Sequence, residues 1–449
     1  ILHSEGNCII ETESKTLILG CKNSEIPADG SVESIGGGAF YYCTELESIV
    51  IPDCITSIGS SAFYGCERLT SVYITDLAKW CAIDFESSAA NPLTNAHNLY
   101  LNDTLVTELK IPDGVTSIGS YAFSGCTGLT SFAIPNSVTS IGSYALSGCT
   151  GLTSLTVPDN VMSIGFSAFL GCTTLESITI PFVGATKDET KNANLDYIFF
   201  NSYYNDQLKL RTVIITGGTK IGDSAFKGWS GLTSITIPKS IKKIGDSAFY
   251  GCYKLIEVIN HSSLNIIAGD WDNGCIGAYA KHIITNAKDS YLTTDENGYT
   301  FYDDGSNVYL MGYAGDGTEI VLPKTSPKGK TYGIYNYAFH NCAKLTSITL
   351  PNSVLSIGNC AFYKCSKLET AIFEENSKCL SFGDSAFEDC TSLMSITISN
   401  SVKTIGYSAF EGCYALKDIY YTGTQEEWKA ISGSDHPNYS RYTIHYNYN

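Results

Sequence analysis

A chain of 449 residues exceeds what one hydrophobic core usually spans, so it implies several globular domains or a repeat array. With 43% hydrophobic and 16% charged residues, it is not a largely disordered chain. A net charge of −17 repels phosphate backbones and anionic lipid, which argues against nucleic acid and membrane surfaces as partners; no apolar run is long enough for direct membrane insertion.

The chain opens at Ile1 without an initiator Met or a leader, which reads as a mature or trimmed form. Residues 1–27 read as a cap. Gly6 to Cys21 alternates around a polar turn at Ser14-Lys15, the pattern of a β-hairpin, and a stacked core needs such a lid at its open end. In that register Cys8 and Cys21 face each other, and a disulfide between them would fit. Regular repeats follow at 28–74, with Phe40 and Phe63 in frame. Residues 75–110 form an irregular rung: a short helix with a polar start at Asp76, then Trp80-Cys81-Ala82-Ile83 and a closing strand near Leu101.

The repeat is plainest at 111–181, where IPDGVTSIGSYAFSGCTGLTSFA is followed by two close copies and Cys126, Cys149 and Cys172 recur every 23 residues. Leu-x-Ser-Ile-Thr-Ile-Pro, as at Leu232 to Pro238, reads as a half-buried strand stopped by its proline. Val138 to Gly142 reads as a second short strand whose glycine supplies a turn conformation. Ala122 to Cys126 has room for no more than one helical turn. One such unit cannot bury its apolar face alone, so successive units must stack.

An insertion at 182–217 breaks the period and carries Tyr197, Phe200, Tyr203 and Tyr204, either a projecting grip for a ligand or a cover for the seam. Repeats resume at 218–259. Residues 260–323 form an irregular module in which Gly298 to Tyr313 aligns with the first hairpin, as if a new array began there. Repeats continue at 324–419, with a two-residue insertion between Phe362 and Phe387. Residues 420–449 form a C-terminal cap that repeats the Trp-x-Ala-Ile motif at Trp428 and is expected to close the other end.

The unit Ile-Pro-x-x-Val-x-x-Ile-Gly-x-x-Ala-Phe-x-x-Cys-x-x-Leu-x-x-Ile resembles the BspA-like leucine-rich-repeat family of bacterial surface proteins, in at least eleven units over most of the chain. The expected fold class is a β-rich α/β solenoid running through 1–449, with parallel strands on one side. The resemblance implies export to the cell surface and a role in adhesion or protein binding.

Ten of the 17 Cys occupy the repeat position, where they read as small buried apolar fillers; Trp229 stands there in one rung. The seven His lack metal-ligand spacing, so no metal or cofactor is expected. Asp270 to Gly274 and Asp303 to Asn307 read as acidic turns rather than calcium loops. His340 and Cys342 do not read as a catalytic pair, because one faces out and the other in. Leu322 to Ser326 looks like a sorting signal but lies mid-chain with no apolar anchor after it.

With the apolar strand residues inward, Ser131, Ser154, Thr156, Ser177, Thr179, Ser234, Thr236, Ser347 and Thr349 make an outward ribbon of small hydroxyls, edged by Tyr73 and Tyr420. The expected function is a non-catalytic, monomeric scaffold that binds an extracellular protein or glycan. A structural spacer or self-associating envelope component displaying another domain is the alternative. A glycan-active enzyme would need two carboxylates facing each other in a cleft, and the adjacent Glu374-Glu375 and Asp303-Asp304 pairs look unsuited.

Overall fold

Two apolar residues separated by one polar residue, stopped by proline, leave room for strands of three or four residues. The computed structural model has them at Ser154–Thr156, Ser177–Ile180 and Ser234–Ile237, with the apolar residues buried and the polar ones exposed or half-buried except at Ser234. It describes residues 1–187, 192–200, 209–315, 317–431, 433 and 441–448. The chain divides into two compact units, Ile1–Thr285 and Asn286–Asn449, where the sequence reading carries one solenoid throughout. Each unit has its own buried cluster, from Cys8 to Ala280 in the first and from Tyr299 to Tyr442 in the second.

Within each unit the rungs form a β-solenoid of parallel strands. In the first, eight strands from Glu108–Lys110 to His282–Ile284 make one sheet. A second wall is made of two-residue strands such as Ser117–Ile118, Ser140–Ile141 and Ser163–Ile164. In the second unit six strands from Glu319–Val321 to Thr443–His445 correspond to the first wall.

The Ala-Phe-x-Gly segment is no helix. Its N–H groups cross to the next rung, Phe123 to Ala145 O and Gly125 to Ser147 O, each at 2.8 Å. Rungs are therefore hydrogen-bonded on three sides. Two left-handed residues shape this segment in each regular rung. One precedes Ala-Phe, as at Tyr121 (φ 61°) and Ser247 (φ 52°); the other precedes Cys, as at Gly148 (φ 74°) and Lys364 (φ 58°).

The glycine of Val-x-x-Ile-Gly has a different role from the one expected. Gly142 does not adopt positive φ. A Cβ there would lie 2.4 Å from the Ser120 amide nitrogen, so this glycine permits close approach between rungs. Phenylalanine fills the space inside: Phe362 stacks on Phe339 at 5.1 Å and on Phe387 at 4.9 Å, all essentially inaccessible. Each such ring contributes about 1.5–3 kcal/mol of burial.

The N-terminal hairpin pairs Cys8–Glu11 with Thr16–Leu19, and its relative pairs Tyr299–Asp303 with Val308–Tyr313. Each gains an outer antiparallel strand that the sequence pattern does not reveal, Leu2–Glu5 and Leu292–Thr294. Among the described residues, α-helices are short and confined to irregular segments. Asp76 caps Leu77–Cys81 by accepting from the Ala78 and Lys79 amides at 2.8 and 3.1 Å. Thr424 and Glu427 form a reciprocal capping box on Gln425–Ala430. No described helix is long and apolar enough to cross a membrane.

Candidate functional site

Parallel register sets the strand ribbon. In the first unit Ser154 lies opposite Ser177, Ser177 opposite Thr212, and Thr212 opposite Ser234. The next column runs Ala133, Thr156, Thr179, Ile214 and Thr236. Ser131, Ser154 and Thr156 are exposed, while Ser177, Thr179 and Thr236 are half-buried. Ser131, Ser154, Thr156, Ser177 and Thr179 make no side-chain hydrogen bond to another described residue, so their hydroxyls face solvent as donors and acceptors.

Ser234 departs from the expectation. It is only 5% exposed and donates to Glu257 Oε1 at 3.1 Å, because the next rung replaces the hydroxyl with a long carboxylate that folds over it. Ile214, 36% exposed, interrupts the second column. In the second unit Ser347 and Thr349 are half-buried, and Ser347 accepts from Thr370 Oγ1 at 2.9 Å.

Aromatic pairs stand on other strands of the two units, the first in a separate four-stranded sheet and the second at the end of the sheet that begins at Glu319–Val321. Tyr73 and Tyr100 lie opposite each other on Ser71–Ile74 and Leu99–Leu101, with ring centroids 4.7 Å apart. Tyr420 lies opposite His445, centroids 4.8 Å apart, and His445 Nε2 is 2.7 Å from Asp418 Oδ1. The sequence reading singles out Tyr73 and Tyr420 but misses Tyr100 and His445, whose alternation inside LYL and TIH is the available signal.

In the insertion, Asn194 caps the helix Leu195–Phe199 by accepting from the Tyr197 amide at 2.9 Å. Tyr197 and Phe200 both meet Phe166 edge-on, at 5.5 and 5.1 Å. Tyr197 is half-buried against the core and Phe200 is 54% exposed. Tyr203 and Tyr204 lie outside the described residues.

Cys8 and Cys21 are not bonded to each other; Cys8 is buried and Cys21 exposed. The hairpin turns over residues 12–15, centred earlier than Ser14-Lys15, so Glu11 pairs with Thr16. Even after a bulge between Ile9 and Ile10, Ile9 pairs with Leu19, a register that does not set Cys8 opposite Cys21. The repeat cysteines are more than apolar fillers. Cys149, Cys172 and Cys252 donate to the carbonyls of Phe123, Leu146 and Phe226 in the preceding rung, at 3.3, 3.3 and 3.2 Å. Burial pushes the thiols of Cys126 and Cys172 up to about 12, so they remain protonated and unreactive at neutral pH.

Asp304 sits in an acidic turn. The Asn307 amide at 2.7 Å leads the hydrogen bonds that hold its carboxyl down to about 2, and they outweigh the opposing effect of burial. Asp303 is engaged by Lys328 and Lys330 at 3.3 and 3.1 Å. His340 stacks on Tyr363 at 5.3 Å, while Cys342 packs against the core. Among the described residues, no three His, Cys, Asp or Glu side chains gather as metal ligands.

The family model described as the BspA type leucine rich repeat region matches in six copies, over residues 13–89, 96–202, 196–275 and 317–432. Among solved structures, a leucine-rich repeat protein from Bacteroides ovatus is 23% identical, over 94% of this chain and 82% of that one, with a TM-score of 0.33. A leucine rich cell surface protein from Faecalibacterium prausnitzii is 25% identical, over 96% and 97%, with a TM-score of 0.30. The pneumococcal vaccine antigen PcpA is 17% identical, over 99% and 93%, with a TM-score of 0.26. No curated protein matches the sequence.

Proposed function

The chain belongs to the BspA-type leucine-rich-repeat family, and from that premise we propose that it is a non-catalytic scaffold, displayed outside the cell, that binds an extracellular protein or glycan through its strand ribbon. One observation carries the reading. Hydroxyls from Ser131 to Thr179 stand in register on a parallel sheet, exposed or half-exposed, with no side-chain hydrogen-bond partner among the described residues. A flat, uncharged, prealigned surface costs little ordering on association. The family resemblance supports display outside the cell.

The test is saturable binding of the whole chain to immobilised extracellular-matrix proteins and glycans. Thr156→Lys with Thr179→Lys puts two charges on the ribbon and is expected to abolish matrix-protein binding while leaving the far-ultraviolet circular dichroism unchanged. Binding that survives both lysines places the site elsewhere.

A further inference from the structure

The Trp-x-Ala-Ile module occurs twice, once in each unit, and both copies set an aromatic pair on the solvent side of the strand sheet. Tyr73 stacks on Tyr100 with 21° between ring planes, and Tyr420 stacks on His445 with 18°. Both pairs occupy the same place in the module: one ring on the strand before the helix, the other on the strand that closes the rung. After each closing strand comes a left-handed asparagine, Asn102 at φ 48° and Asn447 at φ 54°. The aromatic pair is thus a feature of the module rather than of one rung.

The second copy is the more elaborate. Tyr448, 44% exposed, adds a third ring 4.5 Å from Tyr420. Asp418 holds the imidazole of His445 and presents its remaining carboxylate oxygen as an acceptor. Ser395 and Thr397 stand one strand away, in register with Asp418 and Tyr420. The last three strands of this sheet carry Ser395, Thr397, Asp418, Tyr420, Thr443 and His445 outward, with no Lys or Arg among them.

This surface specifies its ligand by chemistry. Ring faces take a flat C–H face; the carboxylate takes hydroxyl donors; the serine and threonine hydroxyls take either. A carboxylate beside the rings and a net charge of −17 oppose an anionic ligand. A protein partner gains most from anchors desolvated in closed pockets, and these rings lie on an open strand face. A neutral pyranose, with C–H groups on one face and hydroxyls around its edge, matches all three features.

We propose that Tyr420, His445 and Tyr448, with Asp418, form a platform that binds a neutral glycan, and that Tyr73 and Tyr100 form a simpler second platform in the other unit. The proposal rests on the reading above that this chain is a binding scaffold; it names a ligand class and places that ligand at the aromatic pairs rather than on the hydroxyls from Ser131 to Thr179. Asp418 acts as a positioning residue for the imidazole.

The experiment is affinity electrophoresis of the full chain through native gels containing barley β-glucan, yeast mannan or glycogen, with polygalacturonate as the anionic control. Retardation is expected with at least one neutral polysaccharide and not with polygalacturonate. Tyr420→Ala is expected to weaken retention about tenfold, Tyr420→Phe to preserve it, and Tyr414→Ala, at a residue 78% exposed elsewhere, to leave it unchanged. Tyr448→Ala probes the same platform at its more exposed edge and serves if Tyr420→Ala loses its fold. No retardation by any of the three neutral polymers overturns the proposal, as does retention that ignores all the platform substitutions. Matrix-protein binding that is lost with the two ribbon lysines, alongside no glycan retention, overturns the platform and leaves the scaffold reading standing; failure of both assays removes both.

Discussion

Gly142 and Gly148 belong to the same rung, and alanine is expected to damage them for different reasons. At Gly148 the nearest heavy atoms to a new Cβ are 3.7 Å away, so the cost is only that of holding alanine at φ 74°, about 1 kcal/mol. At Gly142 a Cβ would press on rigid backbone 2.4 Å away, and the rungs must separate, at a cost of about 3 kcal/mol. Urea denaturation of the two variants tests the ordering; equal losses would mean that the rungs yield easily. The thiols supply a pH prediction. Cys81, Cys126, Cys172 and Cys379 are raised to about 12 chiefly by burial, against an unfolded value of about 8.5. Burial likewise raises the phenols of Tyr299 and Tyr335 to about 12. Between the unfolded and folded values the native state holds more protons, so stability falls as pH rises. Denaturation midpoints under reducing conditions are expected to be insensitive to these thiols below about pH 8 and to decline from about pH 9 toward 12. A flat profile to pH 11 would show that the thiols ionise in the folded state.

At the scale of the element, the irregular rung at 75–110 is fastened by a residue that carries no sequence signature. Asn91 is fully buried, donates through Nδ2 to Tyr121 O at 2.6 Å and Ala122 O at 3.2 Å, and accepts from the Leu93 amide at 2.9 Å. Asn91→Ala leaves those backbone groups in a dry interior and is expected to cost about 2–3 kcal/mol, measured by thermal or urea unfolding. A loss below 1 kcal/mol would mean that water enters the site. Asn91 also shows why legibility differs along the chain. Regular rungs are readable because every 23-mer repeats its neighbours and the strand period is local. The helix caps at Asp76 and Thr424 are readable because each acts on amides within three residues. Asn91 reaches thirty residues ahead, Trp80 Nε1 donates to Ala122 O across 42, and Asp418 meets His445 across 27; only the fold brings them together. The thiol–carbonyl bonds stay hidden for another reason, since a cysteine in an apolar pattern reads as volume alone. The solvent-facing ribbon follows from alternation, whereas the covering of Ser234 depends on a single glutamate one rung away.

At the scale of the molecule, each regular rung answers mainly to the rungs beside it. Phe387 is inaccessible and stacks on Phe362 and Phe410 at 4.9 and 5.6 Å. Phe387→Ala is expected to cost about 3–5 kcal/mol. In a nearest-neighbour array the damage stays local. Amide exchange is expected to rise most in the rungs of Phe362 and Phe410 and least at Glu319–Val321; a uniform rise through Asn286–Asn449 would identify one cooperative core instead. The bonds between rungs have the same short reach. Thr130 Oγ1 meets Thr107 O at 3.0 Å and Thr139 Oγ1 meets Thr116 O at 3.1 Å, each across 23 residues. A freshly copied unit inserted in frame therefore finds its acceptors already waiting on the copy below and offers identical ones to the copy above. Slippage during replication can lengthen or shorten such a gene by whole units without asking the remainder to readjust, so length itself becomes a trait on which selection can act.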